Sequence, residues 1–444
     1  MKKLIKVLSV AVALAAGMAV AQITLWTTEE QPERMVVQEE IAAAFEAETG
    51  ISVSVVPVTE GALGERMTAA FAAGEMPDIV YHPLNNTLGW AQEGLLDTFV
   101  ATEIVEALGE ETFSAGSLSL VEFEGEYAAV PVDGWTQLLL YRADLFEEHG
   151  LEAPDTFERI LAAIDALHDP PDMFGFVAAT DVGQPYMLQV FEHFALANGV
   201  RMVDDEGNIT LDSPELVETL GFYRQLVDAS PPGDLYWQQS RELYQGGQAA
   251  MIVWSPFILD ELAGLRDDVP VPADEPHYSG WLAENTGFIT QLSGPSNPEG
   301  AGWADMRYFG ITVDADIEAA RQFVEFSMTD AYVDTLAVAA EGKFPVRQGT
   351  PDNPSEFLDA WKQLEVGVDR LAPLSEFYGE EAIEEWIEGL DLGDRWAFRQ
   401  GEGVLYSRME GTRVIRDTLR EFLDGEHTAE EASRLMHERV EALR

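Results

Sequence analysis

Between residues 22 and 99 the spacing of apolar residues alternates between the two-residue repeat of a strand and the roughly 3.6-residue repeat of a helix, which limits the fold more tightly than any single motif. The run ITLWT (23–27) reads as a strand. PERMVVQEEIAAAFEAETG (32–50) carries apolar residues at helical spacing and stops at Gly50, a residue suited to ending a helix. ISVSVVPV is the next strand, EGALGERMTAAFAAG the next helix, and DIVY (78–81) a third strand. Short connections between such elements make a βαβαβ unit, and parallel sheets of this kind place ligand loops at the carboxyl ends of their strands. Residues 27–31 and 82–87 occupy two such ends, the second rich in amides at Asn85 and Asn86.

The alternation continues, which predicts an α/β fold. EGEYAAVPVDGWTQLLLYRADLFEEHGL reads as an edge-like strand, a break at Pro131, a second strand, and a helix capped by Gly150. Asp155 and Glu158 stand at capping-box spacing, and Ser213 with Pro214 opens another helix. At 444 residues the chain is too long for one ordinary core, so two domains are expected. No repeat, low-complexity block or Gly/Ser linker divides it, so the backbone is expected to cross between the domains more than once.

Charge removes whole classes of partner. Against 26 basic residues the chain sets 80 acidic ones, a formal charge of −54, and either nucleic acid or an anionic membrane surface would be repelled. The acids are spread along the chain, and beyond residue 6 only Lys343 and Lys362 remain as lysines. This is the pattern of a protein kept soluble in concentrated salt, where screening removes self-repulsion.

The first residues point to export. Lys2, Lys3 and Lys6 precede an apolar run at 7–20, and Ala19 and Ala21 have the spacing of a signal-peptidase site. Residues 1–21 are therefore expected to be a cleaved signal peptide, and the run is too short for a comfortable membrane span. With no cysteine there is neither a disulfide framework nor a lipid attachment site, and a free periplasmic monomer is expected.

Several segments, in order, carry a resemblance: GEMPDIVY…GWAQEGLLD, YAAVPVDGWTQLLLYRADLFEEHGLEAPDTF, FALANGVRMVDDEGNITLDSPELVETLGFYRQLVD, GGQAAMIVWSPF, ADIEAARQFVEFSM and FLDGEHTAEEA. Together they resemble the family 1 extracellular solute-binding proteins of ABC importers, the group that includes maltose-binding protein. The resemblance implies a two-lobed periplasmic-binding-protein fold, each lobe a sheet flanked by helices, closing about hinge crossings near Pro131 and Thr286. It places an N-lobe at 22–131 and 286–327 and a C-lobe at 132–285 and 328–444. It also implies a carbohydrate ligand, permease subunits as partners, and no catalysis.

A sugar needs flat rings for its C–H faces and amide, carboxylate or guanidinium groups for its hydroxyls. By the resemblance, Trp135 stands at a ligand-contact position, and Trp254 and Phe257 stand where the family offers an aromatic platform. The common pattern has tryptophan at the position of Phe257 and a polar residue at that of Trp254. Glu30 and Gln31 fall on a polar pair of the maltose-binding pattern, and Asn85 and Asn86 on an acidic and a basic residue. Asn85 and Asn86 either grip ligand or cap the next helix, and Arg347 either contacts ligand or pairs within the protein. Trp90, Trp237, Trp361 and Trp386 are expected in the core.

Other chemistries are less well served. Asp204, Glu206, Asn208, Thr210, Asp212 and Glu215 have calcium-loop spacing, but Ile209 stands where the loop needs glycine and the flanks read as a hairpin and a capped helix, so no metal is expected. No zinc-protease, nucleophile-elbow, P-loop or dinucleotide motif occurs, so neither an enzyme nor a cofactor is expected. With 80 acidic residues, a carboxylate pair suited to glycoside hydrolysis carries no information. A polyamine, another cationic solute or a polyol in the same fold is the alternative ligand class, with Glu29 and Glu30 as its carboxylates.

Overall fold

The computed structural model describes residues 22–271 and 280–444; the expected signal peptide lies outside the described residues. The N-terminal alternation folds as read: strand Gln22–Thr27, helix Pro32–Thr49, strand Ser52–Pro57, helix Glu60–Ala73 and strand Ile79–Pro83. Gly50 adopts φ 77° and donates its N–H to the Glu46 carbonyl, a left-handed helix end that glycine reaches without a Cβ penalty. The three strands are parallel, with Leu25 opposite both Val55 and Ile79.

They form one side of a mixed sheet whose order is Phe344–Pro345, Val130–Thr136, Asn297–Ile311, Ile79–Pro83, Gln22–Thr27, Ser52–Pro57. Gln291–Gly294 and Gly393–Asp394 add to the long strand Asn297–Ile311. A second, antiparallel sheet holds Met251–Trp254, Leu138–Arg142 and Thr286–Ile289. Among the described residues no helix is long and apolar enough to cross a membrane.

The chain passes between the sheets in single-residue steps. Gln137 alone separates Thr136 of the large sheet from Leu138 of the small one, and Thr290 alone separates Ile289 from Gln291. Both residues are buried. The expected strand break at Pro131 is absent: the strand Val130–Thr136 runs through it, and the ladder to the long strand shifts register between Arg307 and Tyr308, opposite the proline. Such a bulge accommodates a residue that cannot donate to the ladder.

Behind both sheets lies a shared core. Trp386, fully buried on helix Glu380–Leu392, meets Phe288 of the small sheet edge-on at 5.0 Å and lies parallel to Phe344 of the large sheet at 6.4 Å. Trp90 and Trp361 are buried too, as expected.

One local expectation is refined and two hold. Helix Phe157–Leu167 is capped by Thr156, whose hydroxyl accepts the Arg159 N–H at 3.1 Å, one residue beyond the expected Asp155. Ser213 caps helix Pro214–Asp228 as read. In the segment with calcium-loop spacing, Val203 and Ile209 pair antiparallel, and the Asp204 carboxylate closes the turn by accepting the Glu206 and Asn208 N–H groups.

Candidate functional site

A cleft of about 490 Å³ opens where the carboxyl end of strand Gln22–Thr27 faces the small sheet and the helices around it. Thr28, Glu29 and Gln31 reach it from that strand end, as the parallel-sheet rule requires. Opposite stand Gln184, Tyr186 and Gln189 at the start of helix Pro185–Ala197, Trp237 and Arg241 of helix Trp237–Gln245, and Trp254 with Phe257.

The floor is a buried ion network. Glu29 pairs with Lys343 at 2.7 Å and with Arg34 at 2.7 Å. Lys343 lies 3.4 Å from Asp133 and donates to the Tyr81 hydroxyl, which itself donates to Asp133 at 2.6 Å. Burial alone would raise the Glu29 carboxyl, but Lys343 and Arg34 outweigh it and hold it at about 2. It stays ionised, and its geometry is fixed from two sides.

A second carboxylate group behaves oppositely. Glu261 is raised to about 6 by burial, with Asp260 adding to the rise, although Arg241 stands 3.0 Å away. Burial and the nearby Asp260 also push Glu341 up, and Arg34, 3.6 Å from it, only partly offsets this.

Most rings in the cleft already carry a cation. Arg307 sits 4.7 Å from the Trp135 ring centre, Arg34 5.3 Å from Phe257, and Arg241 4.8 Å from Trp237. Each guanidinium is tied to a carboxylate; Arg307, for example, is 3.0 Å from Glu60 and 3.3 Å from Asp305. Phe257 also lies on Gly342, where a Cβ would come within 2.3 Å of the ring. Trp254 keeps different company: Trp237 stacks on it at 5.3 Å and 24°, and Tyr186 meets it edge-on at 5.3 Å. Among the described residues no lysine or arginine covers Trp254.

Of the residues singled out from sequence, the structure brings together Glu29, Gln31, Trp135, Trp254 and Phe257. Glu30 is exposed and accepts the Thr59 hydroxyl at 3.0 Å, away from the lining. Asn85 and Asn86 do not line the cleft, because no loop follows strand Ile79–Pro83: helix Leu84–Gln92 starts at once, with no side-chain cap. The Asn85 carbonyl accepts the Ser407 hydroxyl, and the Asn86 amide lies against Gly64. His82, expected in that loop, is buried edge-on to Trp90 at 5.0 Å and pushed down to about 4 by burial. Arg347 is buried and donates to the Leu108 and Met328 carbonyls and to Thr112, a structural tie.

Trp237, Tyr186, Arg34, Arg241 and Arg307 line the cleft without having been anticipated, Trp237 having been assigned to the core.

Comparison with known proteins agrees with this architecture. The model of the bacterial extracellular solute-binding protein family matches residues 31–334. YcjN of Escherichia coli (strain K12), named as a periplasmic-binding protein of an ABC transporter, is 27% identical over 395 residues, 86% of each chain. Maltose-bound MalE3 of T. maritima superposes with a TM-score of 0.70 at 19% identity, over 96% of this chain and 100% of that one. A solute-binding protein of Agrobacterium radiobacter K84 in complex with ribitol gives 0.66 at 22% identity, over 96% and 99%. With two thirds of its length matched and the two-lobed fold in common, the chain belongs to the bacterial extracellular solute-binding proteins that serve ABC transporters.

Proposed function

We propose that the protein captures a sugar or short oligosaccharide in this cleft and delivers it to the permease of an ABC importer. The observation that carries the reading is the juxtaposition of Trp254, flanked by Trp237 and Tyr186, with ion-paired guanidinium and carboxylate groups across one cleft. A ring offers its face to sugar C–H groups, while fixed charged donors and acceptors take hydroxyls in pairs. The maltose and ribitol named for the two solved relatives are ligands of this chemistry.

A polyamine is a poorer match. Glu29 and Glu261 are already paired with cations, and Trp135, Phe257 and Trp237 already hold guanidinium groups against their faces. In this reading the protein acts as a periplasmic monomer after loss of residues 1–21, and the two lobes rotate about the single-residue steps at Gln137 and Thr290. The charge of −54 belongs to a protein working in concentrated salt, so its melting temperature should climb steeply toward about 1 M salt.

A thermal-shift screen in molar salt over maltose, trehalose, ribitol and spermidine tests the ligand class. A ligand at one hundred times its dissociation constant stabilises by about 2.7 kcal/mol. The reading expects the saccharides or the polyol to shift melting, spermidine to leave it unchanged, and X-ray scattering to show contraction on binding. A shift with spermidine alone would replace sugar by cation. Release of hydrolysis products would replace binding by catalysis.

A further inference from the structure

Gln137 is 3% exposed, borders the cleft, and occupies a single-residue step between the sheets. Its backbone N–H donates to the Trp303 carbonyl at 2.9 Å, which fixes where the side chain departs. The carboxamide oxygen Oε1 is buried and finds no hydrogen-bond partner among the described residues. The next residue, Leu138, pairs across the small sheet with Trp254, whose Nε1 is also buried without a partner. An acceptor and a donor, both unsatisfied, thus border one cleft, the first at the step into the small sheet and the second on a strand of that sheet. Buried polar groups are almost always paired, so two orphans at a candidate site ask for a common explanation.

We propose that Gln137 reads the ligand: Oε1 accepts one hydroxyl of the solute whose ring or chain lies against Trp254, and Trp254 Nε1 donates to a neighbouring oxygen. The inference rests on the sugar-capture reading and deepens it. A hydroxyl both donates and accepts, so adjacent hydroxyls of a saccharide or polyol satisfy the two groups together. An ammonium group could donate to Gln137 but has nothing to offer the indole N–H. The pair therefore selects polyhydroxylated, uncharged solutes.

The test uses the full mature chain and its Gln137→Leu variant, with calorimetric titration of maltose, trehalose, α-D-tagatose and ribitol, then of the monodeoxy analogues of whichever binds tightest. A residue that only holds the fold would lower the melting temperature of the ligand-free variant. A ligand-reading residue predicts an unchanged or higher one, because leucine removes an unpaired buried polar group. It also predicts affinity for the parent solute falling roughly 10- to 100-fold. One deoxy analogue should bind variant and wild type equally, which identifies the hydroxyl that Gln137 accepts. Unchanged affinity in the variant, or a uniform loss across all analogues accompanied by lost stability, overturns the role of Gln137 and leaves sugar capture standing. If the wild type binds none of the four solutes, sugar capture itself fails and the role of Gln137 falls with it.

Discussion

Trp135 and Trp254 both line the cleft, yet they keep different company. Trp135 is 9% exposed, holds Arg307 against its ring, and meets Phe257 edge-on at 5.9 Å. The Arg307 guanidinium is anchored in turn by Glu60 and Asp305. Trp254 is partly exposed, contacts only other rings among these partners, and keeps an unpaired donor. A tryptophan with a tethered cation on its face belongs to the wall that holds the charges in place. One without such a cover is available to a ligand. The same residue type, at two positions suggested by the same sequence resemblance, thus has two different surroundings.

The largest expected effect strikes the charged side of this contrast. Lys343→Met leaves Glu29 and Asp133 buried without their shared cation, and breaking such a network costs about 3–5 kcal/mol. Urea unfolding at neutral pH measures it; a loss below about 1 kcal/mol would mean that the floor tolerates unpaired charge.

Next comes the direct comparison of the two rings. Trp135→Ala removes a buried ring and should cost about 3–5 kcal/mol of stability, as a core truncation does. Trp254→Ala should instead weaken binding of the best saccharide about 10- to 100-fold, the equivalent of about 1.5–3 kcal/mol of ring burial, with a smaller loss of stability. Melting and titration on both variants decide the matter. The reverse pattern would exchange the two roles.

The carboxylates sharpen the contrast through pH. Glu29, held at about 2 in the folded protein against an ordinary 4.5, contributes stability above pH 4.5 that is lost as pH falls toward 2, about 3 kcal/mol in all. Glu261 has the opposite sign. Raised to about 6, it stays protonated longer in the folded chain, so stability falls by about 2 kcal/mol as pH rises from 4.5 through 6. Urea unfolding across pH 3–8 should therefore show Glu29→Gln flattening the acid limb and Glu261→Gln flattening the decline above it. If both variants flattened the same limb, the two ends of the cleft would not differ electrostatically.

Much of the fold was readable because the N-terminal elements satisfy local rules: period, glycine ends and short connections agree from residue 22 to residue 83. The strand Asn297–Ile311 was not legible. Its sequence NPEGAGWADMRYFGI contains Pro298, Gly300 and Gly302, and its extended form is imposed by the strands on either side of it. Trp135 and Trp254, singled out through the resemblance, both line the cleft. Asn85 could not be placed correctly, because a helix starting directly at Leu84 turns an apparent loop into packing against Ser407. Arg34 and Arg307 are held in the cleft partly by distant partners, Glu341 and Glu60, and no local pattern encodes those pairings.

The buried position of Lys343 has a practical corollary. Beyond residue 6 the chain offers amine-reactive reagents two side chains, Lys343 and Lys362. Lys343 is 2% exposed and locked to Glu29, whereas Lys362 is partly exposed beside Glu384 at 3.6 Å. Acylation of the folded chain lacking residues 1–21 should therefore mark Lys362 and spare Lys343, giving a nearly single-site handle for a fluorophore. The rate at which Lys343 is slowly modified would clock how often the floor of the cleft opens to water.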